Sequence, residues 1–306
     1  MPVISKMAVN WQAIFSAAKH TGCCDASVYN GNMRYETIHN VTLPKIGFGT
    51  WQIGGESTAD PAQDSVSLAA LRAALEIGYT HFDTAEMYAA GHCEELVGRA
   101  IRESKIGREK LFITTKVSPE HLAYDDVLKA CASSLRRLKM DYVDIYLIHW
   151  PSRGMNLGEA FRSLNKLTRD EKVKHLGVSN FNLAQLQEAQ KYSETPIITN
   201  QVPYRLPDRS YAENGVLKYC QKNGILVTAY SPIKFRSVRV NKTLREIAET
   251  HHATAYQIAL AWLVNQPRVI TIPMSFDPKH IQENFAAAEI VLSKEEMARL
   301  NKAWEK

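Results

Sequence analysis

Three observations predict an α/β chain folded as a (β/α)8 TIM barrel with an N-terminal β-hairpin across the barrel bottom. From residue 34 onward, a short β-branched run, a Gly- or Pro-marked loop and a segment of helical apolar spacing recur in turn. Eight such strands are found. No change of composition and no linker divides residues 34–306, and a barrel of this kind occupies about 250 residues as one unit. Residues 34–306 therefore read as a single barrel domain, and residues 1–33 as an N-terminal extension.

The alternating stretch Tyr35–Leu43, turning at His39 and Asn40, is the hairpin. The eight candidate strands are Ile46–Gly49, Thr80–Asp83, Leu111–Lys116, Val143–His149, His175–Val178, Ile197–Asn200, Leu226–Ala229 and Val269–Ile272. Between them, Leu68, Leu71 and Leu75 fall at i, i+3 and i+7, and Val127, Cys131, Leu135 and Leu138 line one side of another segment, so each helix buries one stripe. Capping boxes at Asn182 with Gln185, Thr254 with Gln257 and Ser293 with Glu296 mark helix starts. Pro151, Pro203, Pro232 and Pro273 each follow a strand by one to three residues, where the missing N–H ends the ladder. An open doubly wound sheet is disfavoured, because Gly47, Gly49, Gly54 and Gly55 lack the G-x-G-x-x-G spacing and no helix follows them at once.

Thirty-seven Lys and Arg against 32 Asp and Glu leave a formal charge of +5, scattered along the chain, which argues against nucleic acid as a partner. No apolar run is long enough for a membrane span. The five cysteines (Cys23, Cys24, Cys93, Cys131 and Cys220) are odd in number and share no metal-ligand spacing, so reduced thiols in the cytoplasm are expected. Residues 8–18 have an amphipathic pattern, but they contain no Arg and are interrupted by Asn10, Gln12 and Ser16. Neither a transit peptide nor a secretory signal is expected.

Chemistry gathers where strands two, three and four end, in HFDTAEMY, TTK and YLIHW. Asp83, Tyr88, Lys116 and His149 would converge on the barrel's upper face, where active sites lie in this architecture. A lysine within ~4–6 Å of the Tyr88 hydroxyl is expected to lower its pKa from about 10 and make it a usable general acid. Asp83 would hold Lys116 charged, and His149 would fix the angle of a substrate carbonyl oxygen. Singly, each residue has an ordinary structural explanation, such as a cap or a rim aromatic. Jointly, four such groups at three consecutive strand ends are hard to explain by packing, which prefers Val, Ile and Leu there.

The ordered motifs HFDTAEMY, TTKV, LIHWP, GVSNF, NQVPY, AYSP and IPMS with ENF resemble the aldo-keto reductases over residues 34–306. The resemblance implies an NAD(P)H-dependent barrel, monomeric or weakly dimeric, that reduces a small-molecule aldehyde or ketone without a metal. It makes Asp83, Tyr88, Lys116 and His149 the catalytic tetrad, with Tyr88 the general acid. It further implies that Ser179, Asn180 and Gln201 bind the nicotinamide carboxamide and that Tyr230 stacks on its ring. Thr50, Ser231, Ser275, His280, Glu283 and Asn284 join the cofactor set, with the loop to Asn241 over the pyrophosphate and Lys234, Arg236 and Arg239 supplying charge.

The sequence departs from the family pattern at Met274 and His280, where that pattern has Lys and Arg to grip the adenosine 2′-phosphate. NADP(H) with weakened discrimination against NAD(H) is therefore expected. Trp51, Met87 and Trp150 match pocket-wall positions, and the short loop 151–157 and short segment after the Ser293 helix imply an open site for aldehydes and activated ketones. The alternative is a cofactor-binding, redox-sensing regulatory subunit of the same fold. A metal-dependent hydrolase is disfavoured, because the only close histidine pair, His251 and His252, is adjacent and lacks a carboxylate cluster.

Overall fold

In the computed structural model, which describes residues 33–233 and 241–305, the chain begins with an antiparallel hairpin of β1 (Tyr35–Ile38) and β2 (Val41–Pro44). His39 and Asn40 have φ of 45° and 63°, the pair of left-handed residues that a two-residue type I′ turn requires. The hairpin buries Ile38, Val41 and Leu43 against Ile145, Leu147, Ile198, Leu226 and Ile270. These side chains form an apolar cluster separate from the main core, so the hairpin plugs one end of the barrel.

The eight predicted strands are all present: β3 (Phe48–Gly49), β4 (His81–Asp83), β5 (Phe112–Val117), β6 (Val143–Ile148), β7 (Val173–Ser179), β8 (Ile197–Pro203), β9 (Leu226–Tyr230) and β10 (Val269–Thr271). They pair in parallel with their sequence neighbours in one eight-stranded sheet from β3 to β10. The first and last strands then meet: Gly47 N–H donates to Thr271 O at 2.8 Å, and Thr271 N–H donates to Lys45 O at 2.9 Å. Those bonds curl the sheet round on itself. One expectation is corrected here, because β8 runs through Pro203, paired with Tyr230, instead of ending before it. Proline lacks only the donor, so it is tolerated as the last residue of a ladder.

Helices occupy every connection between these strands: α1 (Asp64–Ile77), α2 (His92–Ser104), α3 (Tyr124–Leu138), α4 (Leu157–Arg169), α5 (Leu183–Tyr192), α6 (Ser210–Glu213), α7 (Val216–Lys222), α8 (Lys242–Thr250) and α9 (Ala255–Val264). After β10 come α10 (Pro278–Ala286) and α11 (Lys294–Lys302). Leu68, Leu71 and Leu75 are buried on α1, as are Val127, Cys131 and Leu138 on α3, where Leu135 is half-buried. All three capping boxes form, each satisfying two helix-entry N–H groups reciprocally. His251 and His252 lie between α8 and α9, and His251 is bonded to Glu296 instead of to its neighbour. Among the described residues no helix is long and apolar enough to cross a membrane.

The outer core lies between sheet and helices, and α2 and α3 approach there backbone against backbone. A Cβ at Gly98 of α2 would lie 2.2 Å from the Leu138 carbonyl oxygen at the end of α3. Gly98→Ala is therefore expected to push the two helices apart and lower the unfolding free energy by on the order of 1–3 kcal/mol. Urea unfolding of the variant checks this, and unchanged stability would contradict it.

Candidate active site

Strand alternation aims one residue in two into the barrel, and at the carboxyl ends of β4, β5 and β6 these residues are polar. Asp83 ends β4 opposite Thr114, and Lys116 lies two residues further along β5, on the same face as Thr114. His149 follows β6, its N–H donating to Val117 O at 3.0 Å. Tyr88 comes from the loop after β4. There Ala89 and Ala90 adopt left-handed φ of 49° and 52°, and Ala89 N–H is tied to Glu56 O at 2.7 Å. The strained turn returns Tyr88 over the strand ends.

The four side chains meet. Lys116 is fully buried, and its Nζ donates to Asp83 Oδ1 at 2.5 Å, Thr84 O at 2.8 Å and the Tyr88 hydroxyl at 3.2 Å. The rings of Tyr88 and His149 pack edge-to-face at 5.6 Å. Burial pulls on the Lys116 ammonium, but Asp83 and Tyr88 outweigh it and hold its pKa above the ordinary value, so it stays charged.

Tyr88 behaves differently from the sequence expectation. Burial raises its phenol above the ordinary value, and the lowering by Lys116, itself opposed by Asp83, does not overcome it. The hydroxyl thus keeps its proton at neutral pH. Burial first, and the Lys116 charge second, drive His149 down to about 2, leaving a neutral imidazole. Its Nδ1 is buried without a hydrogen bond, which leaves Nε2 as the ring nitrogen able to serve the cavity.

Asp83, Tyr88 and His149 line a cavity of about 460 Å³, and the fully buried Lys116 lies behind them, outside its lining. Trp51, Met87 and Trp150 line its mouth and are more than a third exposed. Trp150 stacks on His149 at 4.0 Å and Trp51 stands edge-on to Tyr88 at 5.0 Å. Six expected cofactor residues also line it: Thr50, Ser179, Asn180, Gln201, Tyr230 and Ser231. Asn180 Nδ2 donates to His149 O and Ser179 Oγ, and its Oδ1 accepts from the Tyr230 hydroxyl at 2.9 Å. Asn180 and Ser231 have left-handed φ of 63° and 50°, strain that clusters at functional sites.

The other expected cofactor residues do not line this cavity. Met274 lies on its rim, and Ser275 continues the chain away from it, capping the turn through Asp277 N–H. His280 is largely exposed with its Nδ1 3.9 Å from Asp277, while Glu283 and the buried Asn284 sit on α10. Lys234, Arg236 and Arg239 lie outside the described residues. Sequence reasoning missed Gln52 and Ile272 in the lining, whose only signal is their place beside strand ends, while Pro232 and Ile233 belong to the loop expected over the cofactor. It also missed the support beneath Asp83. There Thr50 Oγ1 donates to Asp83 O, Cys93 donates to Thr50 Oγ1 at 3.1 Å, and the Thr84 hydroxyl donates to Cys93 Sγ. Burial pushes the thiols of Cys93, Cys131 and Cys220 up to about 12. No cluster of three or more His, Cys, Asp or Glu suited to a metal occurs among the described residues.

A nicotinamide would fit this lining. Gln201 offers an amide oxygen that takes no hydrogen bond from the described residues, and Tyr230 brings an aromatic ring to the same cavity.

Comparison with known proteins agrees with this geometry. A sequence model of the Aldo/keto reductase family matches residues 45–305. The chain is 39% identical over 271 residues to the methylglyoxal reductase YeaE of Escherichia coli, covering 87% of this chain and 92% of that protein. It is 37% identical over 267 residues to the glyoxal reductase of Bacillus subtilis, covering 86% and 90%. A thermostable aldo-keto reductase solved with the inhibitor epalrestat superposes with a TM-score of 0.85 at 43% identity, over 89% of this chain and all of that one. An aldo/keto reductase of Klebsiella pneumoniae in complex with NADP and acetate gives 0.80 at 35%, over 89% and 95%.

The buried histidines make stability pH-dependent. His149 is held at about 2 and His81, on the same inner face of β4, at about 4, both by burial above all. Below about pH 6.5 the unfolded chain takes up protons that the folded chain refuses, so acidification favours unfolding. Urea unfolding between pH 7 and 5 is expected to show stability falling more and more steeply as the pH drops, towards a limit of about 1.4 kcal/mol per pH unit for each of the two histidines. A flat profile would contradict it.

Proposed function

The chain belongs to the aldo/keto reductase family, and on that premise we propose that it reduces aldehydes and ketones to alcohols with NADPH as hydride donor and Tyr88 as general acid. The observation that carries this reading is the buried ammonium of Lys116 bonded to both Asp83 and Tyr88, which line the cavity beside neutral His149. A reduced nicotinamide, when bound, supplies hydride to the substrate's carbonyl carbon. Ser179, Asn180, Gln201 and Tyr230 would hold its ring end. His149 donates from Nε2 to the carbonyl oxygen and orients it. Tyr88 gives its proton to the same oxygen, and the Lys116 charge stabilises the phenolate left behind. Burial keeps Tyr88 protonated until that moment, which suits an acid better than a resting phenolate would.

The catalytic unit in this proposal is the barrel of residues 34–306, working without a metal as a monomer or weak dimer in a reducing cytoplasm. Small 1,2-dicarbonyls of the kind reduced by its relatives are the first candidates, since the mouth is open and its walls are apolar. On the adenosine side, Met274 replaces a cation and the exposed His280 faces Asp277, which weakens the grip on a 2′-phosphate.

Three outcomes follow. With methylglyoxal and NADPH, Tyr88→Phe is expected to lose on the order of 10³-fold in kcat while still quenching tryptophan fluorescence on binding cofactor. Lys116→Met should also be crippled. Retained turnover in Tyr88→Phe would reassign the acid, and cofactor binding without turnover in the native protein would favour the regulatory alternative. NADPH should bind more tightly than NADH by a modest factor, on the order of tenfold, equivalent to about 1.4 kcal/mol. A strong preference for NADH would overturn the coenzyme assignment.

A further inference from the structure

The two oxygens of one carboxylate do different work at the cavity floor. Oδ1 of Asp83 takes the Lys116 ammonium at 2.5 Å, while Oδ2 accepts from Gln201 Nε2 at 2.7 Å, across 118 residues of sequence. Both side chains are buried, on β4 and β8. An ion-paired carboxylate only accepts hydrogen bonds, whereas a primary amide has a donor end and an acceptor end of nearly the same shape. Turned end over end, Gln201 would set its Oε1 lone pairs against those of Asp83 Oδ2. Only one of its two orientations is therefore favourable.

The neighbouring amide shows what this selection leaves available. Asn180 is bonded at both ends, to His149 O and Ser179 Oγ through Nδ2 and to the Tyr230 hydroxyl through Oδ1. Gln201 is bonded only at Nε2, and its Oε1 takes no hydrogen bond among the described residues. We infer that Asp83 is a positioning residue for Gln201 as well as the partner of Lys116. It turns Oε1 outward as the acceptor for the amide N–H of a nicotinamide, a role that rests on the reductase reading above. One carboxylate then links the proton-donating pair to the orientation of the ring. Asp83→Asn keeps the shape, but Lys116 only donates and so holds the Asn oxygen, which leaves the Asn amide N–H facing Gln201 and favours the turned orientation.

The test is a double-mutant cycle on affinity, with folding verified by circular dichroism. Binding of NADP+ and of 2′,5′-ADP, which lacks the nicotinamide, is measured by calorimetry in the native protein, Asp83→Asn, Gln201→Met and the double variant. Each single substitution is expected to weaken NADP+ about tenfold and leave 2′,5′-ADP unchanged, and the double variant should bind no more weakly than the singles. In the cofactor-free protein, the Gln201 side-chain amide resonances, assigned by their loss in Gln201→Met, should shift in Asp83→Asn. Additive losses, equal weakening of both ligands, unmoved resonances or native affinity in Asp83→Asn would each overturn the positioning role alone. Failure of the native protein to bind NADP+ would overturn the reductase reading and this role together.

Discussion

Everything at the carboxyl end of the barrel depends on one buried cation. The Lys116 side chain is withdrawn from water completely, a placement that costs several kcal/mol unless its charge is paired and its protons are accepted. Asp83, the Thr84 carbonyl and the Tyr88 hydroxyl do both. The parallel register that sets Asp83 opposite Thr114 brings Lys116 within reach, and the hydrogen bond from Gln201 to the same carboxylate ties β8 to β4 across the interior. The ion pair thereby constrains three strands and the loop carrying Tyr88.

The rest of the barrel interior is arranged so that this polarity is affordable. At the opposite end, inward-facing Ile145, Leu147, Ile198, Leu226 and Ile270 close under the hairpin into a dry cluster. Between that cluster and the site, polar groups bond to one another: His81 with Thr114, and Thr199 with Thr228. On the outer face of β5, Thr115 donates to Glu94, whose buried carboxylate is held by Arg137 from α3. Lys116 thus has a satisfied residue behind it as well as partners in front. Burial also keeps His149 neutral and Tyr88 protonated.

Periodicity made the fold readable. Strand runs, capping boxes and the His39–Asn40 turn are local signals, and each was found within a few residues of where spacing placed it. Pro203 was misjudged because loss of a donor ends a ladder without excluding the last residue. The site was legible to the extent that strand ends are. Asp83, Tyr88, Lys116 and His149 meet as their positions implied, and six of the residues expected to bind cofactor line the cavity with Asp83, Tyr88 and His149. Ser275, His280, Glu283 and Asn284 lie away from that cavity, along the turn after β10 and on α10.

The sequence by itself determined which residues are brought to the upper face, because alternation along a strand and the order of parallel strands are local properties of the chain. Only the tertiary structure decided what those residues become. The direction of the Tyr88 pKa turned on burial against a neighbouring charge, and no spacing reports the depth of a hydroxyl. The bond from Gln201 to Asp83 joins positions 118 apart, whose meeting depends on the curl of the whole sheet. Residue type supplies the chemistry available, and long-range packing sets the dielectric and the partners through which it acts.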